Sequence, residues 1–486
     1  MRRTAVLITT AVLTSAVGLT GHAVASATPT PTGVDASRVQ NGPVQIAQAG
    51  TTGVPRHRTR EVMFVGNNWD GTATIVDAHS FKKLGRINTI PDKAERMAEI
   101  HANPDKLAFY LAIKQAVGEG HDQYTDDMFT THNGRLVAVS RPSFADVVGI
   151  DLATNKIRWR FPMEGYRADH MGISPDGRRV LISDSTANKV HELNIFTGKK
   201  LREFASGDTP HENNYSADGS RIFHASIGRV YTPVDRTELG PVHDAAKGEA
   251  VFQIVSNKSF KILKRWDIGE KLEEAGYPNM SSAVRPMAIA PDERYAYLQV
   301  SFFHGFVEFD MVKGKVRRLA HLPDRTNGMP REQYVLDSAH HGLAMNDRGT
   351  KLCAAGTMDN YAAIVNRKSF RYKLINVGDK PYWSTNGPDG DQCWVSVSGE
   401  DKVVVIDYKT ATPLKTVRVG DHPQRVRAGF LNREILQRWN DASANDASAN
   451  DKSAMPPESE PALPEFPLVD TLVDTLVATA IELFGV

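Results

Sequence analysis

The sequence predicts an all-β fold, a seven-bladed β-propeller in which one blade is closed by both chain ends. Three observations carry this expectation. One phrase recurs seven times: an apolar run closes on a short polar residue, at Asp77, Asp151, Asn194, Ser256, Asp310, Asn366 and Asp407, and a turn and a second run follow. A second phrase, as in Gly172-Ile-Ser-Pro-Asp-Gly177 and Asn214-Tyr-Ser-Ala-Asp-Gly219, precedes the hairpins and supplies the positive φ of tight turns. Six places before these turn residues lie Asp127, His170, Glu212, Pro286, His341 and Trp383, separated by 43, 42, 74, 55 and 42 residues. Periods near 40 that stretch only by insertion mark four-stranded blades.

Taken in order, residues 1–27 read as an export signal. Arg2 and Arg3 precede an apolar run from Ala5 to Leu19, and Ala23-Val-Ala25 and Ala25-Ser-Ala27 offer small-residue cleavage sites. The expected destination is secreted or extracytoplasmic, with no transmembrane segment in the mature chain. Residues 28–60, rich in Thr, Pro, Gly and Gln, read as a linker.

The propeller is placed at 61–429. It opens with a hairpin at Glu61-Val-Met-Phe-Val65 and ends on an inner strand at Gln424-Arg-Val-Arg-Ala-Gly429, so both ends complete one blade and hide edges that would otherwise aggregate. Residues 430–467, with Asp441-Ala-Ser-Ala-Asn445 repeated at once, read as a low-complexity linker. At 468–486, Leu468, Leu472 and Leu476 lie four apart, as on an amphipathic helix.

Charge is balanced, with 58 Lys and Arg against 57 Asp and Glu for a net charge of +1, and no basic helix appears. Nucleic acid is therefore not an expected partner. A small-molecule ligand or an extracytoplasmic protein is, with the chain itself a monomer. Cys353 and Cys393 are the two cysteines. Counted from the turn glycines Gly349 and Gly390 they fall on opposite strand faces, which predicts two buried free thiols rather than a bridge.

Extra length falls at about 92–125, 231–250, 267–284 and 321–339, in connections that share one face of a propeller. At that face the starts of the inner strands are dense in ligand-capable residues. His170, His211, His340 and His341 are the candidate metal ligands, since neutral imidazole and carboxylate both donate lone pairs to divalent copper, zinc, manganese or magnesium. Alternation on a regular strand prevents His340 and His341 from sharing one axial metal. Glu212 and Asp127 are the candidate acid/base residues. Arg285 and Arg425 suit an anionic group, Tyr382 and Trp383 suit stacking, and Asp169 and His304 complete the candidate ligand-binding set. No phosphate loop or nucleophile elbow is visible.

Gly207-Asp-Thr-Pro210, Gly378-Asp-Lys-Pro381 and Gly420-Asp-His-Pro423, each followed by an inner strand, resemble the YVTN-repeat and lactonase-like seven-bladed propellers of exported bacterial proteins. The eponymous Tyr-Val-Thr-Asn reads here as Leu181-Ile-Ser-Asp184 and Trp394-Val-Ser-Val397. His340-His341 and Pro210-His-Glu212 are similar to the copper-holding channel mouths of nitrous oxide reductase and the selenium-binding proteins, although no cupredoxin domain follows. Streptogramin lyases share the architecture and use a His with magnesium. The resemblance implies an exported propeller that binds a small ligand, metal ion or partner at its channel mouth. The alternative is a metal-dependent lyase, hydrolase or oxidase built on the same histidines.

Overall fold

The short polar residues that close each apolar run are caps. Asp151 Oδ1 accepts from Ala153 N at 2.9 Å, Asp310 Oδ1 from Val312 N at 3.0 Å and Asp407 Oδ1 from Thr410 N at 2.6 Å. Each turns the chain from one strand into the next, because an Asx side chain can replace the backbone acceptor of a turn. The Asp-Gly turns close the preceding hairpins, with Gly177 at φ 65° and Gly219 at φ 69°. A computed structural model of the protein describes residues 58–230, 239–334 and 337–449. The export signal, most of the N-terminal linker and the C-terminal amphipathic segment lie outside them.

Seven four-stranded antiparallel sheets form the fold. The inner strands of blades 1 to 6 are Met128–Thr130, Ala168–Ile173, Pro210–Tyr215, Val284–Ile289, Leu343–Met345 and Pro381–Asn386. Blade 7 takes its inner strand, Pro423–Asn432, from the C-terminal side and its other three, Thr59–Asn67, Thr72–Asp77 and Lys83–Asn88, from the N-terminal side. Each inner strand packs on those of the next and previous blades around a closed ring. A separate apolar cluster fills each space between neighbouring blades; Leu352, Val365 and Tyr361 of blade 5, for example, pack on Tyr297 and Phe306 of blade 4. Burying a side chain of this size contributes about 1.5–3 kcal/mol.

Two expectations are corrected. Cys353 and Cys393 form a disulfide between blades 5 and 6, with Cα atoms 6.4 Å apart. Opposite strand faces forbid a bridge within one sheet, but the facing surfaces of adjacent blades are opposite faces. The parity that argued against pairing is the parity a cross-blade bridge requires. The segment read as a linker after 430 begins with a helix, Arg433–Ala449. Ile435 and Leu436 join the core between blades 7 and 1, and the Trp439 ring covers Gly85. Among the described residues no helix is long and apolar enough to cross a membrane.

The insertion after blade 7 folds over the channel. Asn103 caps the helix Pro104–Ala112 by accepting from Asp105 N and Lys106 N, with Pro104 pre-set for the first turn. Its base is pinned by Arg141, fully buried between Asp92 and Asp146.

Candidate metal and ligand site at the channel mouth

Every inner strand carries the same irregularity where it meets the mouth. In blade 2, Ala168 pairs with Asp184 and Met171 with Ile182, so Asp169 and His170 together face one residue of the next strand. The same one-residue bulge holds His211 and Glu212, Arg285 and Pro286, Tyr382 and Trp383, and Gln424 and Arg425. Hydrogen bonds place Asp126 and Asp127 opposite Ser140, and His341 and Gly342 opposite Ala355, in the same way. A bulge breaks alternation and re-aims side chains, so consecutive residues reach one central region. Strict alternation, which the sequence reading assumed, does not hold here.

The bulge also corrects one register. The turn of blade 5 carries its Asp one residue earlier relative to Gly349 than the turns of blades 2 and 3 do. His341 therefore occupies the position of Asp169 and His211, and Gly342 that of His170. A side chain is excluded at Gly342, where a Cβ would lie 2.2 Å from Ser384 N.

His170, His211 and His341 meet on the axis. Their candidate ligand nitrogens lie within 4.8 Å of one another, and all three residues are buried. The His170 and His211 rings are 3.7 Å apart between centroids, with His341 at 6.1 and 5.8 Å from them. His170 Nδ1 lies 2.7 Å from a Glu212 carboxylate oxygen, which makes Nδ1 the protonated nitrogen and leaves Nε2 with a lone pair. Nδ1 of His211 and of His341 have no hydrogen-bond partner among the described residues. Burial pushes all three imidazoles well below their usual pKa; Arg425 reinforces the effect at His170 and His341, and Arg285 at His211. Three neutral imidazoles are a nitrogen donor set for a borderline divalent metal.

Carboxylates and guanidiniums surround this centre. Arg425 reaches His170 Nε2 and lies 3.3 Å from Asp126. It thus occupies the cation position among Asp126, Asp169 and His170, whose ligand atoms also converge. Asp127 is fully committed: its oxygens accept from Met128 N, Met171 N and both sides of the Arg427 fork at 2.7–3.0 Å. Glu212, pushed up to about 7 by burial and nearby Asp127 against the pull of Arg427, also accepts from Asn214 at 3.1 Å. Burial and the neighbouring Asp169 and Asp127 likewise raise Asp126, against Arg425. Trp383 lies under both Arg425 and Arg427, at 4.5 and 4.7 Å, and Tyr382 stacks on His341 at 4.2 Å.

Two cavities flank this plug. The one on the mouth side, about 60 Å³, is lined by Arg285, Arg425, Asp169, His211 and Tyr382 and roofed by Gly118 and Glu119 of the insertion. The other, about 260 Å³, opens at the far end and takes Glu212, Trp383 and Arg427 as walls. Arg285 donates from Nε to Ser301 Oγ at 2.9 Å. Over the mouth, Trp69 is sandwiched between His121 and His422 at 3.7 and 3.8 Å. Trp69 is not among the candidate residues read from the sequence; a Trp in the turn between the second and third strands of blade 7 was the available signal.

His340 leaves the central group. Its Nε2 lies 2.8 Å from Asp359 Oδ2, as does His304 Nδ1, so these two candidate residues join a second cluster at the rim between blades 4 and 5.

No family model matches the chain, and no curated protein matches it. Among solved structures it is similar to Kuenenia stuttgartiensis hydrazine synthase, at 12% identity, covering 64% of this chain and 95% of that one, with a TM-score of 0.47. Function is therefore argued from the site.

Proposed function

We propose that the protein is an exported propeller of the YVTN type whose channel mouth binds a divalent transition metal through His170, His211 and His341, with a small anionic ligand beside it. The observation that carries this is the convergence of three buried, neutral imidazoles from three blades, two of them with an Nδ1 that has no partner among the described residues. A buried polar atom without a partner costs about 1–3 kcal/mol, and a bound ion removes that cost. The all-nitrogen set favours zinc or copper over magnesium, which prefers oxygen. Glu212 orients His170 from behind, as carboxylates do for metal-bound histidines. Arg425 must withdraw from His170 Nε2 when metal binds, and its guanidinium then turns to a carboxylate in the mouth cavity, whose wall Arg285 shares. The cavity volume restricts that ligand to a few heavy atoms. Export is supported by the pattern of residues 1–27.

A second reading, a metal-dependent lyase, hydrolase or oxidase, draws support from Glu212, whose pKa near neutrality suits proton transfer. Asp127 is unsuited to that role because four donors hold it. A bound metal would supply Lewis acidity at the mouth.

Elemental analysis of the purified protein beside a His170→Ala/His341→Ala variant tests the metal reading. Loss of one equivalent of zinc or copper in the variant is expected; equal metal content in both proteins would refute it. A thermal shift with formate or acetate, seen in the wild type and absent in Arg285→Gln, tests the anion.

A further inference from the structure

We infer that His304, His340 and Asp359 form a second divalent-metal site, at the rim between blades 4 and 5, which fixes the chain that presents His341 to the centre. Three separate segments supply the donors. His304 comes from the turn between the second and third strands of blade 4, Asp359 from the same turn of blade 5, and His340 from the approach to the inner strand of blade 5. The three candidate ligand atoms converge within 4.8 Å. Asp359 Oδ1 is held by Arg325 N at 2.6 Å, which leaves Oδ2 at the meeting point, 2.8 Å from both nitrogens. Two imidazoles and one carboxylate are a donor set for zinc, manganese or iron.

The charge and proton balance is simple. Each imidazole now donates an N–H hydrogen bond to Asp359 Oδ2. When a divalent ion takes the place of those two bonds, the proton on each ligating nitrogen passes, by exchange with water, to the other ring nitrogen, Nε2 of His304 and Nδ1 of His340, and each ring binds the ion in its neutral form. Asp324, 3.6 Å from His304 Nε2, offers a second negative charge at the rim. His304 is the least buried of the three ligands and gives the ion its route from solvent. Tyr361 Oη, 3.1 Å from His340 Nε2, donates to Pro323 O and closes the inner wall.

The link to the centre is one peptide. Ser338 and Ala339, both fully buried, adopt left-handed φ of 59°. Such conformations are strained in residues other than glycine and persist where the surroundings enforce them. They turn the chain so that His340 joins the rim and the next residue, His341, joins the axis. An ion at the rim holds that turn.

The test is metal stoichiometry after reconstitution with Zn²⁺, with the visible spectrum of the Co²⁺-loaded protein as a second readout. His304→Ala is the first variant, because His304 is at the edge; Asp359→Asn is the second, accepted only if it unfolds cooperatively. The wild type is expected to bind two equivalents, His304→Ala one, and His170→Ala/His341→Ala one. If the central reading fails and this one holds, the wild type binds one equivalent, the central double variant keeps it and His304→Ala loses it. Unchanged stoichiometry and Co²⁺ spectrum in His304→Ala would overturn the proposal and leave the cluster as a hydrogen-bonded pin between blades.

Discussion

His170 Nδ1 and the Glu212 carboxylate lie 2.7 Å apart, on neighbouring blades, and both residues are buried. Neither blade alone makes this pair. Glu212→Gln keeps the shape but weakens the orienting bond, and metal affinity is expected to fall about 10–100-fold with little change in stability. Isothermal titration with Zn²⁺ beside a denaturant melt checks this. Unchanged affinity would show that Glu212 does not orient a ligand.

Asp127→Asn should behave in the opposite way. It leaves the part-buried Arg427 without its charged acceptor, for which a loss of about 1.5–3 kcal/mol is expected. A urea melt reads the loss. A stable variant with altered ligand binding would return Asp127 to the candidate acid/base residues.

The histidines set a pH dependence. With folded pKa values below the unfolded value of about 6.5, the unfolded chain takes up protons first as pH falls. Stability contributed by each neutral imidazole is thus intact above about pH 6.5 and falls by about 1.4 kcal/mol per pH unit below it, until the folded pKa is reached. Glu212 runs the other way, since its folded pKa near 7 exceeds the unfolded value; its contribution is greatest below about pH 4.5 and is lost as pH rises through 7. Asp126, raised likewise to about 7, adds to Glu212, and the three imidazoles still outweigh these two carboxyls between about pH 6.5 and 5.5. Metal-free protein is expected to unfold at lower urea at pH 5.5 than at 7.5, with a shallower slope in His341→Gln. Identical slopes would mean that His341 is protonated in the folded state.

Arg425→Gln separates metal from anion. Removing a cation that contacts His170 Nε2 should tighten Zn²⁺ binding several-fold and abolish the thermal shift with acetate. If both weaken together, Arg425 shapes the site rather than competing for it.

The Cys353–Cys393 bridge closes a loop with a sequence separation of 40. Chain entropy assigns it about 4 kcal/mol, so Cys353→Ala/Cys393→Ala should lower the stability of the oxidised protein by roughly that amount in a guanidinium melt. Thiol titration of the unfolded, unreduced wild type should find none free.

The blades were legible because each hairpin repeats its own turn chemistry, and local turns need no tertiary information. The closing blade was legible for the same reason, from an orphan inner strand at one end and an orphan hairpin at the other. The site was legible as a ring of residues but not as a set of partners. Alternation separates Asp169 from His170 and His211 from Glu212, and only the bulge, which no residue type announces, brings each pair to one region. His340 and His341 fall in separate clusters, and the partner that claims His340, Asp359, depends on how two blades pack. The disulfide was missed because facing surfaces of adjacent blades were treated as one sheet.

Blade 7 places Arg425 on the last strand among the described residues and His170 on a blade completed some two hundred residues earlier. While the chain emerges from its N-terminus, the strand Thr59–Asn67 has no inner neighbour, and its edge stays unpaired until Pro423–Asn432 arrives. The mouth therefore cannot assemble before Pro423–Asn432 has been made. Any ion it holds is acquired by a finished ring, in whatever compartment that ring first closes.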